Sequence, residues 1–136
     1  TAICRYLESL FPNPNLFGES PMEIASIEMW QARIHNELMI PLAMGYRHLH
    51  PAMSSLEIQN KEYGETQKKM GIKSLEYFNG VLAESEYVAG DRYTFADIQM
   101  ITTTDFFIGL NQLNLEDYPE IVRHTKLMNQ RASFSA

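Results

Sequence analysis

Asp97 is the acidic side chain whose position most invites a chemical role. It stands three residues after Thr94 and at the front of an apolar stretch, in the segment TFADIQMI. A carboxylate beside a buried helix could act as a general base, but an acid at this distance from a threonine is also the pattern of a capping box. In a capping box the Thr94 hydroxyl accepts the N–H of Asp97, and the Asp97 carboxylate accepts the N–H of Thr94. We therefore interpret Asp97 as a structural residue.

A hydrophobic staple should accompany this capping box. Tyr93 lies just outside the predicted helix and Ile98 at its fourth position, where the two side chains can pack and fix the angle at which the chain enters. Side chains from Phe95 to about Leu110 are apolar on most faces, which is typical of a helix surrounded by others. We expect this helix to lie at the centre of the fold.

His48 and His50 form an H-x-H pair that could suggest a metal site. Side chains two residues apart on a helix diverge, and no cysteine supports the two histidines as ligands. We therefore predict no metal site, and we interpret His35 and His124 as solvated or hydrogen-bonded helix residues. Cys4 has no CxxC partner, so a buried, unreactive thiol is the favoured interpretation.

Two long helices must position these side chains. Ser20 and Glu23 stand in capping-box register with a proline at the first helical position, which predicts the start of the first long helix. Pro41 should interrupt this helix locally, because proline lacks an N–H and its ring crowds the preceding turn. The helix should end before Pro51, which disfavours helical geometry at the residue before it.

The second long helix is predicted to start at Ser54 and Glu57, again in capping-box register. It contains three glycines, which suggest close packing or slight bends because each costs about 1 kcal/mol relative to alanine inside a helix. Asp117 stands three residues before Glu120, again in capping-box register, which predicts the start of a last helix. An amphipathic first helix starts at Thr1. No stretch alternates with a period of two residues, so the sequence predicts an all-α protein.

Composition restricts the partners of the protein. The chain has 136 residues, of which 45% are hydrophobic, and this suits one domain with a substantial core. Its 17 acidic and 11 basic residues give a net charge of -6, which disfavours nucleic acids and anionic membrane surfaces. The apolar stretches are too short to cross a membrane, and a single cysteine fits the reducing cytosol. We therefore expect a cytoplasmic protein that binds neither nucleic acid nor membrane.

Several segments resemble the glutathione S-transferase superfamily. The residues FADI, which follow Gly90 and Asp91 after a short interval, are similar to the capping box and staple of its helical domain. The closing helix of that domain resembles YPEIVRHTKLMNQRAS, and the last helix of its thioredoxin-like domain resembles AICRYLESLFP. The atypical yeast-type and related bacterial branch resembles ELMIPLAMGYRHLHPAM, IQNKEYG and YFNGVLAESEYVAGD. Together these segments cover nearly the whole chain.

The resemblance implies a C-terminal-type helical bundle around a central buried helix. Residues 1–11 would be the last helix of a thioredoxin-like domain, 12–20 an interdomain linker, and 21–136 the C-terminal helical domain. The rest of the thioredoxin-like domain, which binds glutathione in the family, is expected upstream of Thr1. The complete two-domain protein would be a dimeric, detoxifying glutathione S-transferase with glutathione as co-substrate and no metal. We do not expect this chain alone to be active.

In the family, the helical domain forms a wall of the pocket for a small apolar electrophile. By this resemblance the wall would consist of Met39, Ala43, Tyr46, Arg47, His50 and Phe106. Some members of the branch hold an activating water with a serine and a histidine one turn apart, where this chain has Ala43 and Arg47, followed by His48. Arg47 and His48 are therefore the candidate thiolate-stabilising residues, since a nearby positive charge favours an ionised thiol.

Two other functions are compatible with the sequence. Glutathione-transferase-like helical domains also occur as non-catalytic interaction modules attached to translation factors and synthetases. An unrelated helical ligand-binding bundle is the third possibility, and it would leave the capping-box and closing-helix similarities unexplained. A thioredoxin-like segment ending in Glu-Ser before Thr1 would favour the enzyme, whereas another kind of partner domain would favour the interaction module.

Overall fold

Six α-helices account for most of the residues that the structure describes. The structure is a computed structural model that describes residues 1–110 and 113–134. Within those ranges it contains no β-strand, so the all-α prediction is confirmed. The helices are α1 (Ala2–Leu10), α2 (Pro21–Arg33), α3 (Ile40–Leu49), α4 (Lys61–Glu84), α5 (Phe95–Gly109) and α6 (Pro119–Asn129), with a π-helical segment at Ile34–Met39 and 3₁₀ turns at Pro51–Met53 and Ala132–Phe134.

The predicted central helix, α5, lies inside the bundle. It packs against α2, α6 and the π-helical segment. Its side chains Met100, Ile101 and Phe107 are at most 2% exposed. Met100 and Phe107 join the main hydrophobic core with Leu38 of the π-helical segment and Phe78 of α4. Burying each such side chain contributes about 1.5–3 kcal/mol to stability, so α5 contributes a large part of the stability of the bundle.

The helices α3 and α4 approach each other at glycines. A Cβ atom on Gly71 would stand 2.7 Å from Leu42 Cδ2, and one on Gly64 would stand 2.8 Å from Leu49 Cγ. Real Cβ atoms do not come so close to neighbouring atoms, so only glycine allows this separation of the two helices. A Cβ atom on Gly80 would meet nothing within 4 Å. The prediction of close packing is thus confirmed at Gly71 and Gly64.

The capping box predicted at the start of α2 is only half formed. The Ser20 hydroxyl accepts the N–H of Glu23 at 3.2 Å, as predicted. The Glu23 carboxylate accepts the N–H of Glu19 at 2.9 Å, one residue before the expected donor. It also pairs with Arg92, whose hydrogen bond holds the pKa of the Glu23 carboxyl below its usual value. The Glu23 carboxylate therefore binds Arg92 and a backbone N–H one residue before the one that the capping box predicts.

The predicted start of α4 at Ser54 is wrong. The helix begins at Lys61, and the N-cap is Asn60, whose side chain accepts a hydrogen bond from the first turn at 3.0 Å. Glu57, which would complete the predicted box, pairs instead with Arg47 of α3. Because the carboxylate is bound to another helix, it cannot reach back to its own chain, and residues 54–60 form turns and irregular structure.

The predicted capping box at Asp117 is also wrong. The helix α6 begins at Pro119, and its own N-cap residue makes no side-chain capping hydrogen bond. Asn79 of α4 supplies the cap from across the bundle. Its Oδ1 accepts the N–H of Glu120 at 3.0 Å and the N–H of Ile121 at 3.3 Å. One side chain therefore satisfies two of the orphan donors at the start of α6 and ties that helix to α4.

We expect Asn79→Ala to destabilise the protein by about 1 kcal/mol, the usual cost of losing a helix N-cap. Both backbone donors would lose their acceptor, and α6 would lose this hydrogen-bonded link to α4. Urea denaturation measures the change. Asn129→Ala is the control, because Asn129 is exposed at the end of α6 and should change stability by less than about 0.5 kcal/mol. Equal midpoints for the two variants would show that Asn79 is not the cap.

Candidate functional site

One face of α3, together with Met39 just before the helix and His50 just after it, carries most of the predicted pocket wall. Met39, Ala43, Tyr46 and His50 recur at intervals of three or four residues, which places them on one side of the helix. Met39, at the end of the π-helical segment, is 37% exposed, and Ala43 is half-buried against the main core. The rings of Tyr46 and His50 stack with their centroids 4.6 Å apart. The structure thus brings together a mainly apolar, partly exposed surface backed by the core.

Arg47 and His48 both have structural partners. Arg47 forms an ion pair with Glu57, and its backbone carbonyl accepts the side-chain amide of Gln59 at 2.9 Å. His48 Nδ1 accepts the N–H of Asn60 at 3.1 Å, so its ring is directed toward the start of α4. The segment that precedes α4 therefore neutralises the charge of Arg47 in part and engages one nitrogen of His48.

Phe106 lies on another element than the rest of the predicted wall. It belongs to the last turns of α5, is 61% exposed, and packs edge-to-face against Phe107 with the ring centroids 5.2 Å apart. The π-helical segment, which ends at Met39, packs against α5. Among the other residues of the predicted wall, Met39 is therefore the one whose element is in contact with the helix of Phe106. Phe106 was predicted in a buried helix, but this side of α5 faces outward.

Asp97 is fully buried, and both of its carboxylate oxygens are occupied. Oδ1 accepts the N–H of Val88 at 2.8 Å and lies 3.0 Å from Nε2 of the buried His124. Oδ2 accepts the backbone N–H of Thr94 at 2.8 Å and its hydroxyl at 3.1 Å. A carboxylate has about four acceptor positions, so none is left for a substrate proton. Both halves of the predicted capping box are present.

The sequence offered no signal for the contact between Asp97 and His124. The two residues are 27 positions apart, and only the packing of α6 on α5 brings them together. A histidine that donates to a buried carboxylate is held in one tautomer by that bond. The interpretation of His124 as a hydrogen-bonded helix residue therefore agrees with the structure, whereas His35 is exposed.

Tyr93 and Ile98 have separate neighbours. The guanidinium carbon of Arg131 lies 3.6 Å from the centroid of the Tyr93 ring, and burial raises the pKa of the Tyr93 phenol. Ile98 and Phe95 line an apolar cavity beneath α1 that also includes Cys4. Cys4 is only half-buried there. The staple between Tyr93 and Ile98 stays a prediction.

The connector between α1 and α2 is tied to both helices and to α5. The Glu8 carboxylate of α1 accepts the backbone N–H groups of Leu16 and Phe17. Arg92, just before α5, donates to the Asn15 carbonyl at 2.6 Å. The same arginine pairs with a glutamate of α2. Hydrogen bonds therefore join residues 12–20 to α1 and to the residues just before α5.

The outer face of α1 is apolar and exposed. No side chain of this helix is buried. Its exposed apolar residues are Ile3, Tyr6, Leu7 and Leu10, followed by Phe11. A helix with such a face usually packs against another layer of structure.

Among residues 1–110 and 113–134, no three His, Cys, Asp or Glu side chains are grouped so that they could share a metal ion. None of the helices in this described part of the chain combines the length and the hydropathy needed to cross a membrane.

Known proteins similar to this chain are glutathione S-transferases. Residues 35–132 match the family described as glutathione S-transferase, C-terminal domain. Glutathione S-transferase 2 of Saccharomyces cerevisiae is 35% identical over 136 residues, which cover 98% of this chain and 58% of the yeast protein. A probable glutathione S-transferase of Oryza sativa subsp. japonica, GSTF1, is 29% identical over 103 residues, or 73% of this chain and 46% of the rice protein.

Solved structures show the same relationship in three dimensions. The crystal structure of Gtt2 from Saccharomyces cerevisiae superimposes with a TM-score of 0.89 at 33% identity, covering 98% of this chain and 65% of that one. A glutathione S-transferase domain-containing protein from Marinobacter aquaeolei gives a TM-score of 0.85 at 31% identity, covering 98% of this chain and 66% of its own. The chain spans about half of the length of the curated relatives it matches.

Proposed function

Because the chain belongs to the glutathione S-transferase family, in which it matches the C-terminal domain, we propose that it forms the electrophile-binding wall of a glutathione transferase. The observation that carries this proposal is the face of α3 with Met39, Ala43 and Tyr46, which is apolar, partly exposed and supported by the core. In the proposed reaction the glutathione thiolate attacks a small apolar electrophile held on this face. Orientation of the two reactants then supplies much of the rate.

In this proposal, glutathione is bound mainly by a thioredoxin-like domain that residues 1–11 complete. The exposed apolar face of α1 supports this role, since it offers a surface on which the rest of such a domain can pack. The hydrogen bonds of the connector would hold α1, and with it the glutathione site, at a set distance from α3. A helix N-terminus such as that of α1 also suits the carboxylate of a bound peptide.

Arg47 and His48 stay candidate thiolate-stabilising residues within this proposal. The ion pair with Glu57 reduces the positive charge that Arg47 could offer to a thiolate. We therefore assign the larger part of their role to shaping the end of the pocket wall, where Arg47 follows Tyr46 and precedes His50.

We also propose that the complete protein is a cytoplasmic homodimer. A cluster on α2 and α4 supports the dimer: the Arg33 guanidinium carbon lies 4.1 Å from the Tyr77 ring centroid and 5.4 Å from that of Trp30. Met29 of α2 is 46% exposed. Aromatic residues, methionine and arginine are the types enriched at protein interfaces.

Glutathione conjugation by the complete protein tests the proposed function. We expect conjugation of a nitroaryl chloride, and we expect Tyr46→Ala and Met39→Ala to raise the KM for that electrophile about tenfold with an unchanged KM for glutathione. Loss of an apolar pocket contact is worth about 1–3 kcal/mol, which corresponds to this change. Met22→Ala is the control, because Met22 is 80% exposed on α2 and away from the wall.

Two outcomes would contradict the proposal. The first is a parent protein that conjugates no electrophile and instead co-purifies with a stable protein partner, which would favour a non-catalytic interaction module. The second is a set of variants in which Met22→Ala and Tyr46→Ala change the electrophile KM equally.

A further inference from the structure

Pro41 cannot donate the backbone hydrogen bond that another residue at this position of an α-helix would give to the preceding turn. In an α-helix the N–H of residue 41 would donate to the carbonyl of Glu37, but proline has no N–H. The chain adopts a π-helical segment just before it, in which the N–H of Ile40 donates to the carbonyl of His35, five residues back. Segments of this kind are rare in helices and often lie at functional sites. Pro41 itself is buried.

Ser74 of α4 donates to the carbonyl that residue 41 would bind in an α-helix. Its hydroxyl donates to the Glu37 carbonyl at 2.6 Å, although the two residues are 37 positions apart. The carbonyl of Met70, on its own helix, lies at 3.2 Å from the same hydroxyl. A serine hydroxyl carries a single proton, so the shorter contact takes most of it. The hydrogen bond therefore joins α4 to the π-helical segment.

The closeness of the two backbones makes this bond possible. Gly71 lies one turn before Ser74 on α4, and a Cβ atom on it would stand 2.7 Å from Leu42 Cδ2. At that separation a side chain as short as serine spans the gap, and its position three residues after Gly71 puts it on the same helical face. Gly71 and Ser74 thus form one contact with the junction of the π-helical segment and α3.

The register of this junction sets the direction of the proposed pocket wall. Met39 is the last residue of the π-helical segment, and Ala43 and Tyr46 follow on α3. One residue of an α-helix corresponds to a rotation of about 100°, so return of the segment to α-helical register would turn these side chains away from their present face. Whatever holds the π-helical segment therefore also orients the wall.

We propose that Ser74 is a positioning residue for the electrophile pocket: its hydroxyl gives the Glu37 carbonyl the hydrogen bond that Pro41 cannot, and so holds the wall in its register. This role rests on the proposed function, because it concerns the same wall. Ser74 does not touch the electrophile. It acts through the π-helical segment, and its effect should be visible in that segment even without substrate.

Hydrogen exchange in a double-mutant cycle tests directly whether the Ser74 hydroxyl replaces the hydrogen bond that Pro41 cannot donate. Ser74→Ala should speed exchange of the amides of residues 38–40 and of Leu42 about tenfold, while Ser85→Ala should leave those amides unchanged. Ser85 is a matched control, since its hydroxyl also binds carbonyls, those of Val81 and Tyr87, at the far end of α4. Pro41→Ala restores an N–H at position 41, so adding Ser74→Ala to it should speed exchange by less than about twofold.

Kinetics of the complete protein test the effect on the pocket. Ser74→Ala should raise the KM for the nitroaryl chloride about fivefold and leave the KM for glutathione unchanged. Ser74→Thr keeps a hydroxyl, so its KM for the nitroaryl chloride should lie close to that of the parent protein. A merely structural role would lower the amount of active enzyme without separating the two KM values.

Three results would overturn the proposal. Ser74→Ala could behave as Ser85→Ala does in exchange, its effect could persist in the Pro41→Ala background, or it could speed exchange without changing the electrophile KM. A complete protein that conjugates nothing would contradict the proposed function instead. In that case the exchange cycle would still decide whether Ser74 replaces the donor that Pro41 lacks.

Discussion

Asp97→Ala is expected to destabilise the protein by about 3 kcal/mol or more. The substitution removes the acceptor for two backbone N–H groups, those of Val88 and Thr94, and for the Thr94 hydroxyl. It also removes the partner of His124, which is 1% exposed. Buried donors left unsatisfied cost about 1–3 kcal/mol each, and loss of one partner from a buried pair costs about 3–5 kcal/mol. This exceeds the cost of an ordinary helix N-cap, about 1 kcal/mol.

Urea denaturation of three variants measures the effect of Asp97. Asp97→Asn keeps one carbonyl oxygen and should lose less stability than Asp97→Ala. Asp91→Ala removes an exposed aspartate from the loop just before α5 and should change stability by less than about 0.5 kcal/mol. If Asp97→Ala and Asp91→Ala shared one midpoint, Asp97 could not be the centre of this network.

Gly71→Ala is expected to destabilise the protein by about 1–2 kcal/mol, whereas Gly80→Ala should stabilise it by about 0.5–1 kcal/mol. The new methyl group on residue 71 would meet Leu42, which is 3% exposed and cannot move away without disturbing the core. At residue 80 the methyl group meets nothing within 4 Å, so only the better helix propensity of alanine counts. Both glycines lie within α4, so the pair separates packing from propensity.

Thermal denaturation of the two glycine variants checks this prediction. The midpoint should fall for Gly71→Ala and rise for Gly80→Ala. A rise for both would mean that α3 and α4 can separate at no cost, and the close contact beside Ser74 would lose its physical basis.

The parts of the fold that the sequence predicts well depend on neighbouring residues. The capping box of Thr94 and Asp97 is present because both partners lie within one turn and the following helix is buried on most faces. The end of α3 before Pro51 follows from proline sterics, which act locally. Local chemistry and tertiary packing agree at these positions.

The wrong predictions arose where a distant side chain competed with a local one. Glu57 pairs with Arg47 of α3, so it does not cap α4. Asp117 does not cap α6, because Asn79 of α4 binds two of the donors. A capping pattern in the sequence cannot reveal such competitors, since their positions depend on how the helices pack.

The same distinction between local and distant contacts applies to the predicted site. The face of Met39, Ala43 and Tyr46 follows from helical spacing once the helix is placed, and the structure keeps these residues together. The π-helical segment and its contact with Ser74 depend on α4, 37 positions away, and no local pattern indicates them. Interruption near Pro41 was predictable, but its form was not.

Binding of a ligand to the α3 face is the most direct test of the central claim. Among the eight methionines, Met39 lies in the proposed wall and Met22 is 80% exposed on α2. In the complete protein with carbon-13-labelled methionine methyl groups, titration with S-hexylglutathione should shift the Met39 signal and leave the Met22 signal in place. A saturable complex in which the Met39 signal moves no more than the Met22 signal would contradict the assignment of this face as the pocket wall.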